Sequence, residues 1–290
     1  MDDTFDRAHP PLVTIRLDAR GVGVPAQMAA KEVYGIFALA HPVIQKADLS
    51  NIAPLGDESV HHQMDLLGRT PQEELASINR RMAAMCISDL ARGVRQSLED
   101  AATHIDIATQ LSPNAIRSEI NDDTEDAMVA AIWAAVAARQ NVFRQRAQAM
   151  RHPQLLEKVT KGLWAPLSWA PELTSFQKLR NCLEHRGGIV GMQDIDETGA
   201  MVLRLPYLKV DVVGQSGAVR PFEIGMALQE RSSMEVGVDV RTRTFQLGET
   251  VEVEPKQIGE MAFACWVFAV DVVDKLTPVG VSSSLVEIHI

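Results

Sequence analysis

The side chains of this chain best suited to chemistry stand in the run KLRNCLEHRGGIV, Lys178 to Val190: Arg180, Asn181 and His185. Asn181 and His185 are four positions apart. On an α-helix their directions therefore differ by only about 40°, whereas Arg180 lies about 140° from His185. All three avoid the centre of the apolar stripe Phe176, Leu179, Leu183. The end of such a helix offers a titratable ring, a fixed amide and a permanent cation. Those are the parts that cleavage of an RNA phosphodiester requires. An imidazole can take the proton of a 2'-hydroxyl or give one to the leaving 5'-oxygen. A guanidinium can hold the phosphate and offset the charge that develops in the transition state.

An ordinary helix ending accounts for the same letters. Cationic side chains near a helix C-terminus interact well with the macrodipole, and glycine just past the cap is the commonest stop signal. His185, Arg186, Gly187 and Gly188 meet that description. Arg180 and Glu184 also form an i,i+4 pair, worth about 0.3–0.5 kcal/mol on an exposed face. A looser Arg-to-His spacing recurs in RAQAMRH, where Arg146 and His152 again fall at a helix end. The Asn beside Arg180, and the amphipathic helix that carries it, set the first site apart from the second.

Helices must position this run. Thr70-Pro71-Gln72-Glu73 specifies a helix start three ways, by N-cap, proline and capping glutamate. Leu75, Ile78, Met82, Cys86, Leu90, Val94 and Leu98 continue it as one long apolar stripe. A second long helix is predicted over 124–151, with Val129, Trp133, Val136 and Phe143 on one face and Pro153 ending it. An earlier helix is predicted over 27–46, carrying Val33, Ile36, Phe37 and Ala40. Pro166 and Pro171 bracket a loop, after which Thr174 and Gln177 suit a capping box for the motif helix. Beyond Gly188 the period changes to two: Leu203 and Leu205, Val210 and Val212, Val236 to Val240, Val251 and Val253. The helical period returns in Ile258, Met261, Cys265, Phe268, Val272 and Leu276.

The expected fold is mainly α (α+β): a helical bundle with a small antiparallel sheet inserted before the last helix. Its expected divisions are a tail and short strand over 1–26, the bundle over 27–190, the β insertion over 191–255, a returning helix over 256–276, and a tail over 277–290.

Arg180-Asn181-Cys182-Leu183-Glu184-His185 resembles the signature of the HEPN superfamily, Arg, a polar residue, three variable residues and His, in its Arg-Asn form. The resemblance implies a helical bundle that forms a homodimer, with Arg180, Asn181 and His185 of each subunit lining one cleft. It further implies a metal-independent endoribonuclease that leaves a 2',3'-cyclic phosphate, in toxin-antitoxin or anti-phage biology, with an antitoxin or defence-system protein as a possible partner. Some members carry a Tyr shortly after the His that a partner enzyme modifies. Here Arg186 and Gly187 follow, so that control is not expected.

Charge is unevenly spread. From Arg139 to Arg186 there are nine Lys or Arg against three Glu, a segment of +6 in a chain of formal charge -10. Lys178, Arg186, Arg144, Arg146 and Arg151 are the expected RNA contacts, because a basic zone around a phosphate site is what a nucleic-acid backbone needs. The same arginines also suit a solvated helix face. The overall acidity argues against indiscriminate coating of nucleic acid or anionic membrane.

Three isolated cysteines, Cys86, Cys182 and Cys265, suit free thiols in a reducing cytoplasm. The start MDDTFDRAHPP has no apolar segment of a secretory leader, and the run Met261 to Val270 is too short for a membrane span. His61, His62 and Asp65 have i,i+4 metal-ligand spacing without a second ligand cluster, so no metal is expected. Gly21-Val22-Gly23 lacks the context of a dinucleotide loop, and no cofactor is expected. Trp133, Trp164, Trp169 and Trp266 are expected in the core or at interfaces. The competing functional reading is a non-catalytic RNA-binding or protein-interaction module of the same fold.

Overall fold

The computed structural model describes residues 12–37, 71–110, 125–222, 232–276 and 284–289. The chain is mainly helical with a small antiparallel sheet before its last helix, as the change of hydrophobic period predicts. The helices are α1 (Val24–Gly35), α2 (Pro71–Gln110), α3 (Glu125–Ala149), α4 (His152–Gly162), α5 (Ala170–Arg186) and α6 (Pro255–Leu276). The strands are β1 (Leu12–Leu17), β2 (Ala200–Val213), β3 (Val219–Pro221), β4 (Ser233–Gln246) and β5 (Ser284–His289). No helix among the described residues is long and apolar enough to cross a membrane. His61, His62 and Asp65 lie outside the described residues.

The chain divides into two compact units, one drawn from 1–25, 94–168 and 268–290, the other from 26–93 and 169–267. Both α2 and α6 contribute to each. α5 and the sheet share the second unit.

In the first unit β1 pairs antiparallel with β5, with Leu12 opposite His289 and Leu17 opposite Ser284. The segment 277–290, expected to be a tail, thus contains a strand. Ile132, Val136 and Phe143 of α3 are buried, while Trp133 is 53% exposed. Arg95 caps the end of α3, donating to Gln148 O at 3.1 Å and Met150 O at 3.0 Å, where a cation is favoured by the helix dipole. Gly23 allows close approach to α6, since a Cβ there would lie 3.0 Å from Ala269 O. At Gly162 a Cβ would meet Ile105 Cδ1 at 2.6 Å and Cγ2 at 2.7 Å. Gly162→Ala is expected to destabilise the protein by about 1–3 kcal/mol through overpacking. A urea midpoint equal to that of the parent protein would refute it.

The second unit holds the three-stranded sheet, ordered β3-β2-β4. Val251 and Val253, read from the sequence as a strand, lie outside it; Val251 N instead donates to Gly188 O at 2.7 Å. Phe222 N donates to Val210 O at 2.8 Å, so even-numbered residues of β2 turn their peptide groups away from β4. Pro206 shares that parity, and β3 pairs only with residues 211–213. Its missing N–H therefore falls on the side away from β4, where no described strand pairs with it. Met201, Leu203, Leu205 and Phe245 are buried on one face of the sheet. Of the indoles expected in the core or at interfaces, Trp164 is 56% and Trp266 43% exposed, so these two are not core residues. Trp164 satisfies its ring N–H on Asp274 O at 3.0 Å.

Candidate functional site

The motif sits on the last two turns of α5. This helix starts earlier than the capping box suggests: Trp169 is the N-cap and Pro171 occupies the first turn. Thr174 lies inside the helix, its hydroxyl donating to Ala170 O at 3.1 Å. Leu173, Phe176, Leu179 and Cys182 form the buried face, fixing which side chains turn outward. The stop is made as expected by glycines in the left-handed region, Gly187 at φ 62° and Gly188 at φ 84°. Gly188 N donates to Cys182 O at 3.0 Å, and Val190 N to Glu249 O at 3.0 Å, so the helix end is tied to the segment after β4.

His185 is exposed on this last turn, and Arg180 and Asn181 are half-buried. Asn181 Oδ1 accepts from Arg180 Nη1 at 3.3 Å and from Gln177 Nε2 at 3.0 Å, which aims the amide along the helix surface. Arg180 also forms an ion pair with Glu184. Burial works to raise the Glu184 carboxyl, but the nearby Ser88 hydroxyl, Arg180 and His185 bring it below its ordinary value. The Cys182 thiol is raised by burial and by Asp194, so it is no nucleophile at neutral pH. An open cavity of about 270 Å³ includes Leu183 of α5 in its lining, with Phe37, Met82 and Ile258, but neither Arg180 nor His185.

Several of the expected RNA contacts are already engaged. Arg186 is locked to Asp194 through Nε at 2.7 Å and through Nη2, with the two side chains only 16% and 3% exposed. That pair is structural. Lys178 is half-buried, and its charge lowers the Asp196 carboxyl, although hydrogen bonds from Thr198 contribute more. Arg144, Arg146 and Arg151 belong to the other unit. There Arg144 lies 3.7 Å from Asp100, Arg146 is over the Phe143 ring at 5.8 Å, and Arg151 is exposed. Lys158 is bound to the buried Asp106 at 2.6 Å. Asp100, Asp106 and Asp194 all lie outside the basic segment. A charge count along the chain therefore overstates the basic surface that segment presents.

The second Arg-to-His spacing has a different character. His152 is 9% exposed and neither ring nitrogen has a hydrogen-bond partner. Burial, with the nearby Arg95 charge, pushes its pKa down to about 4. A neutral, enclosed imidazole of this kind is unsuited to proton transfer with a polymer. Its folded pKa lies below the unfolded value, so its contribution is fully present above about pH 6.5 and is lost as pH falls through 4. His152→Leu is expected to abolish about 3 kcal/mol of acid destabilisation over that window. Denaturant midpoints of parent and variant that stay parallel from neutral pH to pH 4 would contradict this.

Compared with known protein families, curated proteins and solved structures, the chain matches none of them.

Proposed function

We propose that the end of α5 is the active site of a HEPN-like, metal-independent endoribonuclease. In this reading the ribose 2'-hydroxyl attacks the adjacent phosphorus, the 5'-oxygen leaves, and the products are a 2',3'-cyclic phosphate and a 5'-hydroxyl. His185 moves a proton at one of those two oxygens, Arg180 holds the phosphate, and Asn181 orients Arg180. The supporting observation is the exposed His185 on the same two helical turns as a half-buried Arg180 held by an amide.

One imidazole serves one proton transfer at a time, and the reaction needs both a base and an acid. A second copy of the chain, contributing its own Arg180, Asn181 and His185 to a shared cleft, supplies the other. The resemblance to HEPN proteins suggests this homodimer, and it alone suggests a toxin-antitoxin or anti-phage setting. Phosphate binding would compete with Glu184 for the Arg180 guanidinium.

Incubating the purified protein with RNA in EDTA tests the reading. Fragments ending in 2',3'-cyclic phosphate are expected; intact RNA at every enzyme concentration would overturn it. The Arg180–Glu184 ion pair favours a second reading, a non-catalytic RNA-binding or protein-interaction module, because that cation is partly neutralised within its own helix. Salt-dependent RNA binding without cleavage would decide for it.

A further inference from the structure

The sheet ends in a strand whose outer edge no described element covers. β4 pairs with β2 along its full length, from Ser233 opposite Val213 to Gln246 opposite Ala200. This register keeps parity, so odd-numbered residues of β4 bond to β2. Met234, Val236, Val238, Val240, Thr242 and Thr244 turn their N–H and C=O groups outward. Val240 N donates instead to the Asp239 carboxylate at 2.8 Å, as expected of an amide on a free edge. Met234 is 53% and Val236 63% exposed. A long edge rich in β-branched residues is a template for pairing with another strand.

We infer that β4 pairs antiparallel with β4 of a second copy of this chain, about a twofold axis at Val238. The edge is complementary to itself in this register. Val236 opposes the partner's Val240, Val238 opposes the partner's Val238, and Glu235 opposes the partner's Arg241. Asp239 opposes the partner's Gly237, which has no side chain to crowd the carboxylate as it leaves Val240 N–H. Moving the axis one residue either way puts acid against acid, Glu235 on the partner's Asp239 or Asp239 on itself, and like charges directly opposite destabilise a sheet. Moving it to Val240 matches Asp239 with the partner's Arg241 but replaces valine pairs by valine–threonine pairs. Arg241 is bound to Glu260 at 2.7 Å and lies over the Tyr207 ring at 4.6 Å, so its position is fixed and the partner's Glu235 would share its charge with Glu260. This contact is independent of the α5 motif and stands whether or not RNA is cleaved.

The full chain tests it in two ways. Glu235 and the partner's Arg241 form a non-hydrogen-bonded pair with Cα atoms about 4.5 Å apart, within disulfide range. An oxidised mixture of Glu235→Cys and Arg241→Cys proteins should give a cross-linked dimer, and neither variant should do so alone. The native cysteines are all buried and leave the readout clean. Val238→Pro removes an outward N–H that β2 does not use, so circular dichroism should be unchanged while the dimer dissociation constant, from sedimentation equilibrium, weakens by more than about tenfold. A monomeric parent protein at every concentration, a cross-link formed by one variant alone, no cross-link from the mixture, or a mixed cross-link undiminished by Val238→Pro would each overturn the proposal.

Discussion

Asp194→Ala is expected to destabilise the protein by about 3–5 kcal/mol, the range for removing one partner of a buried ion pair. The loss comes less from the missing attraction than from what remains. Arg186, 16% exposed, would keep its charge without the carboxylate that bonds it through Nε and Nη2. Asp194 also accepts from Gly191 N at 2.9 Å, so the turn after α5 would lose its internal anchor. Asp194→Asn retains one acceptor for that amide and should fall between the two. Replacing both Arg186 and Asp194 by leucine should recover part of the loss, because no buried charge is then left alone. Urea midpoints measure all three. A loss under about 1 kcal/mol for Asp194→Ala would mean that water reaches Arg186 and the pair is a surface pair.

This ion pair shows where reading the sequence stops. Arg186 stands at the end of a basic run and looks available to phosphate. Its partner is eight residues on, beyond two glycines, and the two meet only because Gly187 and Gly188 take the left-handed turn at φ 62° and φ 84°. Glycine signals that such a turn is allowed without saying where the chain goes next. By contrast, Ile258, Met261, Cys265, Phe268, Val272 and Leu276 are all buried, as their spacing predicts. That stripe is long and one-sided, so only one orientation of α6 removes it from water. In α3 alanines occupy most faces, and the pattern cannot choose between neighbours; Ile132 goes in and Trp133 stays out. In β5 Val286 and Ile288 alternate with Glu287 and His289, a strand signal, but its partner lies at the other end of the chain and nothing local in the six residues identifies it.

The candidate site was legible for a local reason. Arg180, Asn181 and His185 lie within six residues of one helix, so the helical period fixes their mutual directions before any tertiary contact is known. The same period supplies the Arg180–Glu184 pair at i,i+4; what it could not supply are the carboxylates that occupy Arg144, Lys158 and Arg186.

Under the proposed function, His185→Ala should lower RNA cleavage by about 10²–10⁴-fold, the usual contribution of a positioned acid or base. The ring is exposed on the last turn, so its removal should shift stability by no more than about 0.5 kcal/mol. Arg180→Ala should cost about 10²–10³-fold, because the guanidinium acts on charge that grows as the phosphorus is attacked. Arg180→Lys keeps the charge but loses the planar fork, and should recover only part of the activity. The double variant should be little worse than His185→Ala alone, since the two side chains act on one transition state. Asn181→Ala removes the acceptor that orients Arg180 at 3.3 Å and should act more weakly than either. The readout is the rate of 2',3'-cyclic phosphate formation at saturating RNA. Rates within a factor of about two of the parent for both Arg180→Ala and His185→Ala would take the reaction away from α5.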